Sequence, residues 1–330
     1  MNTSADFQNK NVLITGGLGF IGSNLAHRLV QLGAEVTLVD SLIPEYGGNL
    51  FNVDPIKDRV RVNIADVRDE FSMDYLVQGR HYLFNLAGQT SHIDSMQNPY
   101  KDLDINCRAQ LAILEACRKH NPDVKVVYAS TRQIYGKPDY LPVDERHALH
   151  PTDVNGVNKM AGEWYHILYN NVYNIRAASL RLTNTYGPRM RVKDARQTFL
   201  GIWIKRLLSG EPIEVYGTGM QIRDFNYVDD VVDALLLVAA SEEANGQIYN
   251  LGSDETINLR DLAALIVEMY SKGDYHLIPF PPNRKAIDIG DYYADYRLIQ
   301  GKLGWRPRVN LREGLKRTVE FYEQYHEHYW

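Results

Sequence analysis

A glycine-rich turn near the start of the chain constrains its fold more than any other feature. Residues 16–22 read Gly-Gly-Leu-Gly-Phe-Ile-Gly, directly after the apolar run 11–15 and at the start of a helical pattern. In such a unit Gly16 permits a tight turn, Gly19 lets the backbone approach a pyrophosphate, and Gly22 allows the helix to pack on the strand. The free N–H groups of the helix N-terminus attract phosphate. The spacing therefore predicts a dinucleotide-binding strand–turn–helix unit.

The end of the next predicted strand indicates which dinucleotide is bound. That strand covers 35–39 and is followed by Asp40, about 20 residues beyond the glycines. A carboxylate at this point accepts hydrogen bonds from the adenosine ribose hydroxyls and repels a 2′-phosphate. The sequence therefore predicts NAD, rather than NADP, as the cofactor.

The first half of the chain alternates apolar runs with helical patterns. The predicted strands are 11–15, 35–39, 60–64, 81–88, 124–130 and 175–182, and the predicted helices include 20–32, 99–119 and 156–171. This alternation is typical of a doubly wound parallel sheet with helices on both faces. Beyond about residue 186 the elements are shorter and are separated by glycine and proline. We therefore expect an α/β protein with a Rossmann-type NAD-binding domain over 1–185 and a smaller α/β substrate lobe over 186–330, with some elements interleaved.

Charge and composition exclude several functional classes. The chain has 36 basic and 41 acidic residues and a net charge of −5, which gives no electrostatic signature of nucleic-acid binding. No apolar run is long enough to span a bilayer, and the first residues lack the pattern of a signal peptide. Two cysteines, Cys107 and Cys117, are too few for a disulfide scaffold or a four-cysteine zinc site. We therefore expect a cytoplasmic protein that binds neither nucleic acid nor membrane, and we predict no metal site.

Seven further segments resemble, in order, the motifs of one enzyme family. They are ADVRD at 65–69, NLAG at 85–88, DINCRAQLAILEAC from Asp104, ASTRQIYG at 129–136, RLTNTYGPR at 181–189, QIRDFNYVDDVVDAL at 221–235 and GDYYADYRLIQGKLGWRP from Gly290. Together with the glycine turn they resemble the extended short-chain dehydrogenases/reductases, in particular the NAD-dependent epimerase/dehydratase family. This resemblance covers nearly the whole chain. It implies an enzyme that uses bound NAD to oxidise a sugar carbinol transiently, with a nucleotide-diphosphate sugar as its partner.

The resemblance also implies where the ligands lie. The expected cofactor-binding residues are Gly16, Gly19, Phe20, Ile21, Gly22, Asp40, Asp66, Val67, Leu86, Ala87, Gly88, Asn106 and Lys159. The expected substrate-binding residues are Gln89, Thr131, Asn184, Arg191 and Arg223. Arg191 belongs to a locally basic stretch, 189–196, for which an anion-binding role and a solvated loop are both open.

The catalytic motif departs from the family pattern at one position. The family carries a tyrosine four residues before its lysine, whereas this chain has Asn155 before Lys159; Thr131 matches the family's Ser or Thr. An amide cannot act as a general base near neutral pH. Three interpretations follow: another base, either Lys159 with a pKa lowered from about 10.4 to about 7–8 or His92; a water held by Asn155 that relays the proton; or loss of hydride chemistry. We favour the first two together, with Asn155 as a member of an altered catalytic site.

The segment after Thr131 narrows the reaction type. Sugar 4,6-dehydratases of the family carry Asp-Glu there, whereas this chain has Arg132 and Gln133, so elimination of water lacks its acid and base. The stretch from LAGQ to S-T-x-x-x-Y-G is most similar to the CDP-tyvelose 2-epimerase branch, which retains the tyrosine. We therefore predict a nucleotide-sugar epimerase. The alternatives are another sugar-nucleotide enzyme of the family (dehydratase, decarboxylase or dehydrogenase) and a redox-inactive protein that binds NAD and a sugar nucleotide.

The resemblance further implies a homodimer. Members of the family commonly pair through the long helix after the fourth strand and the helix that carries the lysine. Here the second of these helices has an aromatic and aliphatic stripe, made of Trp164, Tyr165, Leu168 and Tyr169. The stripe fits either a dimer seam or a face buried in the core.

Overall fold

The structure, a computed structural model, describes residues 6–271 and 273–330. Twelve strands lie in these residues: β1 (Asn11–Thr15), β2 (Glu35–Asp40), β3 (Val60–Ile64), β4 (Tyr82–Asn85), β5 (Lys125–Thr131), β6 (Ala177–Leu182), β7 (Asn184–Tyr186), β8 (Ile213–Tyr216), β9 (Ile222–Tyr227), β10 (Ile248–Asn250), β11 (Thr256–Asn258) and β12 (Tyr275–Ile278). The same residues contain twelve α-helices: α1 (Phe20–Gln31), α2 (Glu70–Leu76), α3 (His92–Gln97), α4 (Pro99–Leu103), α5 (Ala109–His120), α6 (Val154–Tyr173), α7 (Phe199–Leu208), α8 (Val228–Ala240), α9 (Leu259–Tyr270), α10 (Pro282–Lys285), α11 (Arg297–Leu303) and α12 (Leu311–Tyr325).

A parallel sheet of seven strands forms the centre of the fold. Its order is β10–β6–β5–β4–β1–β2–β3, and β1 pairs on both sides, so that Val12 lies opposite Val36 and Tyr82. The strand order reverses between β1 and β4, because β2 and β3 continue to one side and β5 and β6 to the other. In open α/β sheets this reversal leaves a crevice at the carboxyl ends of the strands, where ligands bind. The predicted doubly wound fold is confirmed.

Apart from the exposed edge strand β3, the apolar runs of the sheet are continuous because both faces are buried. Side chains alternate along each strand, so Leu83 packs on one face while Phe84, its neighbour, packs on the other. Helices α1 and α8 cover the Phe84 face, and α2, α5 and α6 cover the Leu83 face. Tyr169 of α6 belongs to this core, whereas Trp164 and Leu168 on the same helix are exposed.

The later part of the chain builds a second core with two small sheets. One sheet has the order β11–β9–β7, and the other is the parallel pair β12–β8. Helices α7, α9 and α12 pack around them, with Trp203, Ile266 and Leu315 among the buried residues. Strand β10 nevertheless pairs in the large sheet, and helix α8 packs on that sheet. The chain therefore returns to the large sheet after it has entered the second core. The two parts interleave, as expected, and the domain boundary after residue 185 stays a prediction.

Two predicted elements differ from the observed ones where the chain approaches the crevice. Strand β4 ends at Asn85, and residues 86–88 turn into the wall of the crevice instead of continuing the strand. The helix predicted over 99–119 is interrupted by one π-helical turn at Asp104–Arg108, between α4 and α5. Such turns are frequent at functional sites because they displace side chains from the regular helical positions. Within the described residues, the helices are all too short or too polar to cross a lipid bilayer.

Candidate active site

A cavity of about 390 Å³ occupies the crevice between the two halves of the sheet. Its wall runs from the glycine turn to Thr131, Lys159 and His92. Of the residues predicted from the sequence, it contains Gly16, Gly19, Phe20, Ile21, Gly22, Asp40, Asp66, Val67, Leu86, Ala87, Gly88, Gln89, His92, Thr131, Asn155, Lys159 and Asn184. Asn106, Arg191 and Arg223 lie outside this wall. The structure thus brings together most of the predicted site.

The glycine turn has the backbone geometry that a bound dinucleotide needs. Gly16 has φ +68°, a conformation that side chains disfavour. A Cβ on Gly22 would lie 2.2 Å from the Gly16 carbonyl oxygen, so only glycine permits this approach of helix to strand. Gly19 stands at the N-cap of α1 and offers no side-chain cap, which leaves the first N–H groups of the helix free for phosphate.

Two carboxylates line the far end of the same cavity. Asp40 accepts hydrogen bonds from the N–H groups of Leu18 and Leu42, at 3.1 and 3.0 Å, and its burial raises the pKa of this carboxyl. Asp66 is held by the Arg68 guanidinium, which lowers the pKa of Asp66. Both positions suit the adenosine half of NAD, with Asp40 at the ribose. The residues present therefore fit this cofactor.

Asn155 presents an amide oxygen to the cavity. Its side chain is buried, and Nδ2 donates to the Gln89 carbonyl at 2.8 Å and to Asp102 Oδ2 at 3.1 Å. Neither partner can donate, so the orientation of the amide is determined by its surroundings. Asn155 Oδ1 is therefore the atom left to face a ligand, and it can accept a hydrogen bond but cannot take a proton.

A buried carboxylate, Asp102, holds this arrangement together. Besides Asn155 it accepts from Asn106 Nδ2 at 3.0 Å and from Asn158 Nδ2 at 2.7 Å. The three amides supply the donors that a buried carboxylate requires. The sequence analysis identified neither Asp102 nor Asn158, because their contacts join α4 to α6 across more than 50 positions and no local pattern signals them. The predicted Asn106 lies behind the cavity wall, on the π-helical turn.

Lys159 is a buried amine, and its surroundings stabilise its positive charge only weakly. Its Nζ donates to the Ala129 carbonyl at 3.1 Å and lies 5.0 Å from the ring centre of Tyr128. Burial lowers the pKa of Lys159 to about 8, although the charge of Asp102 opposes the shift. A Cβ on Gly88 would lie 2.9 Å from Nζ, so the glycine leaves room for the amine. Lys159 can therefore exchange a proton close to neutral pH.

His92 and Asp153 form a second polar pair on the wall. Nδ1 of His92 lies 2.9 Å from Asp153 Oδ2, without the alignment of a full hydrogen bond. Asp153 is buried, accepts from Gln133 Nε2 at 2.8 Å, and caps α6 by accepting from the N–H of Gly156 at 2.7 Å. The carboxylate favours a proton on Nδ1, which leaves Nε2 as an acceptor. The sequence analysis missed Asp153, whose signal is its N-cap position three residues before Gly156.

Two tyrosines lie close to the predicted catalytic residues, Tyr128 beside Lys159 and Tyr46 on the cavity wall. Tyr128 lies beneath Lys159 but is fully buried outside the cavity wall, and burial raises the pKa of its hydroxyl well above 10. Tyr46 lines the cavity, yet burial and nearby carboxylates raise the pKa of its hydroxyl to about 12. Both phenols therefore stay protonated at neutral pH, and neither supplies the phenolate that could act as a base.

A second cavity of about 290 Å³ opens beside the first one. Its wall includes Arg132, Arg223 and Arg284 together with the aromatic side chains of Trp203, Tyr216 and Phe280. Arg223 donates to the carbonyls of Ile222 and Gly290 and lies 3.4 Å from Asp288. Cationic and aromatic groups in one cavity suit a nucleoside diphosphate.

The other predicted substrate residues have definite partners. Asn184 accepts from Arg132 at 2.8 Å and donates to the Asp224 carbonyl at 2.9 Å. Arg191 lies apart from both cavities: it pairs with Asp194 and ties down the loop 44–46 through two carbonyls. These contacts hold the loop in place, and the expected contact of Arg191 with substrate stays a prediction.

Comparison with known proteins agrees with this architecture. The profile of the NAD dependent epimerase/dehydratase family matches residues 12–252. The UDP-glucose 4-epimerase of Mycolicibacterium smegmatis is 31% identical over 311 residues, which cover 94% of this chain and 97% of that protein. The structure of UDP-glucose 4-epimerase with UDP-glucose from Thermotoga maritima superposes with a TM-score of 0.86 at 31% identity, covering 96% of this chain and 99% of that chain.

Dehydratases are also similar to the chain. The dTDP-glucose 4,6-dehydratase of Streptomyces venezuelae, solved with NAD and TYD bound, superposes with a TM-score of 0.87 at 25% identity over 95% of this chain and 97% of that chain. The preference for an epimerase over a dehydratase therefore stays a prediction. The fit of the glycine turn, Asp40 and the cavity to NAD agrees with the family match, and the chain belongs to the NAD dependent epimerase/dehydratase family.

Proposed function

We propose that this protein is an NAD-dependent nucleotide-sugar epimerase with an altered catalytic site. The observation that carries the proposal is one continuous cavity wall, which joins the glycine turn to Thr131, Asn155 and Lys159. Bound NAD supplies the acceptor, and afterwards the donor, of the hydride. The protein residues orient the sugar hydroxyl and move its proton.

The proton steps follow from the protonation states of the side chains. The Thr131 hydroxyl and Asn155 Oδ1 hold the sugar hydroxyl or a water next to it. Neutral Lys159 accepts the proton as the carbinol becomes a carbonyl, and it returns the proton when the carbonyl is reduced from the other face. The lowered pKa of Lys159, about 8, makes both directions accessible. His92, oriented by Asp153, is the alternative base.

The substrate side of the proposal depends on the second cavity. Its arginines and aromatic side chains suit a nucleotide diphosphate, and the relatives named above act on UDP- and dTDP-sugars. Arg132 and Gln133 donate to Asn184 and Asp153, and neither side chain can protonate a leaving hydroxyl. These contacts support epimerisation over elimination of water.

The experiment is product analysis with a panel of sugar nucleotides. The NAD-loaded protein is incubated with UDP-, dTDP-, CDP- and GDP-hexoses, and NMR identifies any epimer formed. Rapid-mixing absorbance records transient NADH. We expect Lys159→Ala to abolish turnover, with His92→Gln as the matched variant of the other base. Unchanged turnover in Lys159→Ala would rule out this lysine as the base.

A second candidate function is binding without redox chemistry, and Asn155 itself favours it because an amide cannot accept a proton. In that case the protein would bind NAD and a sugar nucleotide as a sensor or scaffold. Tight binding of a sugar nucleotide with neither an epimer nor NADH would support this candidate and overturn the epimerase.

We also propose a homodimer that forms through α6. The outer face of this helix exposes Val157, Trp164, Leu168 and Val172, with exposed fractions between 47% and 57%. These apolar side chains recur on one side of the helix, which is a pattern that another helix can cover.

A further inference from the structure

Arg132 is a partly buried arginine whose guanidinium the protein pairs incompletely. Its Nη2 donates to Asn184 Oδ1 at 2.8 Å, and its guanidinium lies 5.3 Å from the ring centre of Tyr292. Its Nη1 is buried and has no hydrogen-bond partner in the part of the chain that the structure describes. Burial lowers the pKa of Arg132. A buried cationic donor without a partner is costly unless a ligand completes it.

The acidic groups around Arg132 are committed to other partners. Asp224 accepts from Thr183 and from the N–H of Ala294. Asp153 accepts from Gln133 and from the N–H of Gly156 and lies beside His92. Asp288 lies 3.4 Å from Arg223. Among residues 6–271 and 273–330, no carboxylate lies within 4.0 Å of the Arg132 guanidinium. The described residues therefore offer Nη1 no acceptor, and a ligand or a water can supply one.

The position of Arg132 indicates which part of a ligand it meets. It directly follows Thr131, and it lines both the cofactor cavity and the second cavity. Arg223 lines the second cavity and Arg284 lines both, so two other cations are available for a diphosphate. The charge of Arg132 also contributes, after burial, to lowering the pKa of Arg223 to about 10, so the two cations repel each other. Arg132 is thus an additional cation at the sugar end of the site.

We propose that the substrate is an acidic nucleotide sugar whose sugar carboxylate binds Arg132. The inference rests on the proposed function, since it assumes a nucleotide sugar with its reacting sugar near Thr131. A carboxylate matches the planar guanidinium, and it offers Nη1 the acceptor that the protein lacks. A neutral hydroxymethyl group would leave the charge uncompensated. Asn184 and the Tyr292 ring fix the plane of the guanidinium for this contact.

The test compares two ligands that differ only at C6, UDP-glucose and UDP-glucuronic acid, with UDP as reference. Calorimetry on the NAD-loaded protein gives the three Kd values. We expect UDP-glucuronic acid to bind at least about tenfold more tightly than UDP-glucose. In Arg132→Gln the Kd of UDP-glucuronic acid should rise at least about tenfold more than the Kd of UDP or of UDP-glucose, so that the ratio falls to about one. Arg284→Gln is the matched variant, and it should weaken all three ligands and keep the ratio.

Two results overturn the inference. Equal losses for UDP, UDP-glucose and UDP-glucuronic acid in Arg132→Gln would assign Arg132 to the diphosphate. A ratio near one in the unmodified protein would overturn it without any variant, so the test does not depend on the folding of Arg132→Gln. The same comparison with glucose 1-phosphate and glucuronic acid 1-phosphate removes any dependence on the nucleoside.

The outcomes also separate this inference from the proposed function. Preference for the acidic sugar with no epimer from any sugar nucleotide supports the role of Arg132 and overturns the epimerase. Epimerisation of neutral sugars with no preference for the acidic one supports the epimerase and overturns the role of Arg132.

Discussion

The side chain at position 155 is coupled to a buried carboxylate 53 positions earlier. Asp102 has three amide donors, and Asn155 supplies one of them at 3.1 Å. A tyrosine at 155 has a single hydroxyl proton: either it would donate that proton to Asp102, or it would face the cavity and leave Asp102 one donor short. A phenolate beside Asp102 would also be repelled. Asn155 and Asp102 therefore form one coupled unit.

This coupling predicts the behaviour of Asn155→Asp. The variant places a second carboxylate next to Asp102 Oδ2 without a donor between them, so one of the two pKa values must rise. We expect a loss of at least about 2 kcal/mol in the free energy of unfolding at pH 7, or roughly 3 °C in Tm. A raised folded-state pKa favours folding only at low pH, so the deficit grows as pH rises from about 4, the unfolded value.

The control for this prediction exchanges the two groups. In Asn155→Asp/Asp102→Asn the amide at 102 can donate to the carboxylate at 155, so at least half of the lost stability should return. Thermal unfolding between pH 5 and pH 8 measures both variants. A double variant that is no more stable than Asn155→Asp would contradict the coupling.

Lys159 gives a prediction on pH dependence. If its neutral amine accepts the proton, kcat should rise with pH through an apparent pKa near 8, the value to which burial lowers this group. His92→Gln should keep this limb of the profile, whereas a limb lost in His92→Gln would assign the base to the histidine. Steady-state rates of epimer formation between pH 6 and pH 10 measure the profile.

The lowered pKa of Lys159 also makes the free energy of unfolding depend on pH. The slope is opposite in sign to that of a lysine in a favourable ion pair, whose pKa is raised. The folded-state pKa of Lys159, about 8, lies below the unfolded value of about 10.4. The unfolded chain therefore binds more protons between these values, and folding becomes more favourable as pH rises through them. Lys159→Met should lack this rise in Tm, and identical pH curves for the two proteins would contradict the lowered pKa.

At the scale of helices and strands, an element can be predicted from the sequence when its own residues form a recognisable pattern. Strands β1, β2 and β4 to β6 are visible as apolar runs because parallel strands are buried on both faces, whereas β3 is a partly exposed edge strand. Strand β10 is not visible, because three residues carry no periodicity and only the return of the chain to the sheet makes them a strand. The cofactor half of the site is predictable for the same reason, since the glycine turn is one contiguous motif.

The proposed catalytic half of the site is predictable only in part. Asn155 and Lys159 lie four positions apart on α6, and the motif spacing finds them. Asp102 and Asp153 act through side-chain contacts with distant elements, such as the one between Asp153 and His92. Contacts of that kind depend on packing, and neither composition nor periodicity records them. Arg132 shows the same limit, because the sequence cannot reveal that its Nη1 lacks a partner.

The strand–turn–helix element predicts a strict requirement at Gly22. In Gly22→Ala the new Cβ would lie 2.2 Å from the Gly16 carbonyl oxygen, which belongs to backbone and cannot move aside. We expect the variant to keep less NAD bound and to lose at least about 2 kcal/mol in the free energy of unfolding. Gly301→Ala in α11 is the matched control: nothing lies within 4 Å of its Cβ, so it should be neutral or up to about 1 kcal/mol more stable.

Retained NAD can be measured from the absorbance released on denaturation, alongside thermal unfolding. Full NAD content in Gly22→Ala would contradict the close approach of α1 to the turn. Equal losses in Gly22→Ala and Gly301→Ala would show that the effect is not specific to the turn.

At the scale of the whole molecule, the exposed face of α6 predicts the oligomeric state. Trp164 and Leu168 are 52% and 48% exposed, whereas Tyr169 on the same helix is buried in the core. Large apolar side chains grouped on one exposed helix face favour burial against a second copy, because α6 of one protomer can pack on α6 of its partner about a two-fold axis. We therefore expect the unmodified protein to have twice the mass of one chain by light scattering.

Charge on this face should dissociate the dimer while leaving the fold intact. In Trp164→Glu/Leu168→Glu, pairing by two-fold symmetry would bring like charges together in an apolar seam, so the mass should fall to that of one chain. Met220→Glu is the matched control, because Met220 is 55% exposed but lies in the loop between β8 and β9, and its mass should stay unchanged. Because the Glu side chains replace exposed residues, Tm measured at low concentration should change little. A dimeric Trp164→Glu/Leu168→Glu variant would exclude this face of α6 as the interface, and a monomeric unmodified protein would exclude the dimer.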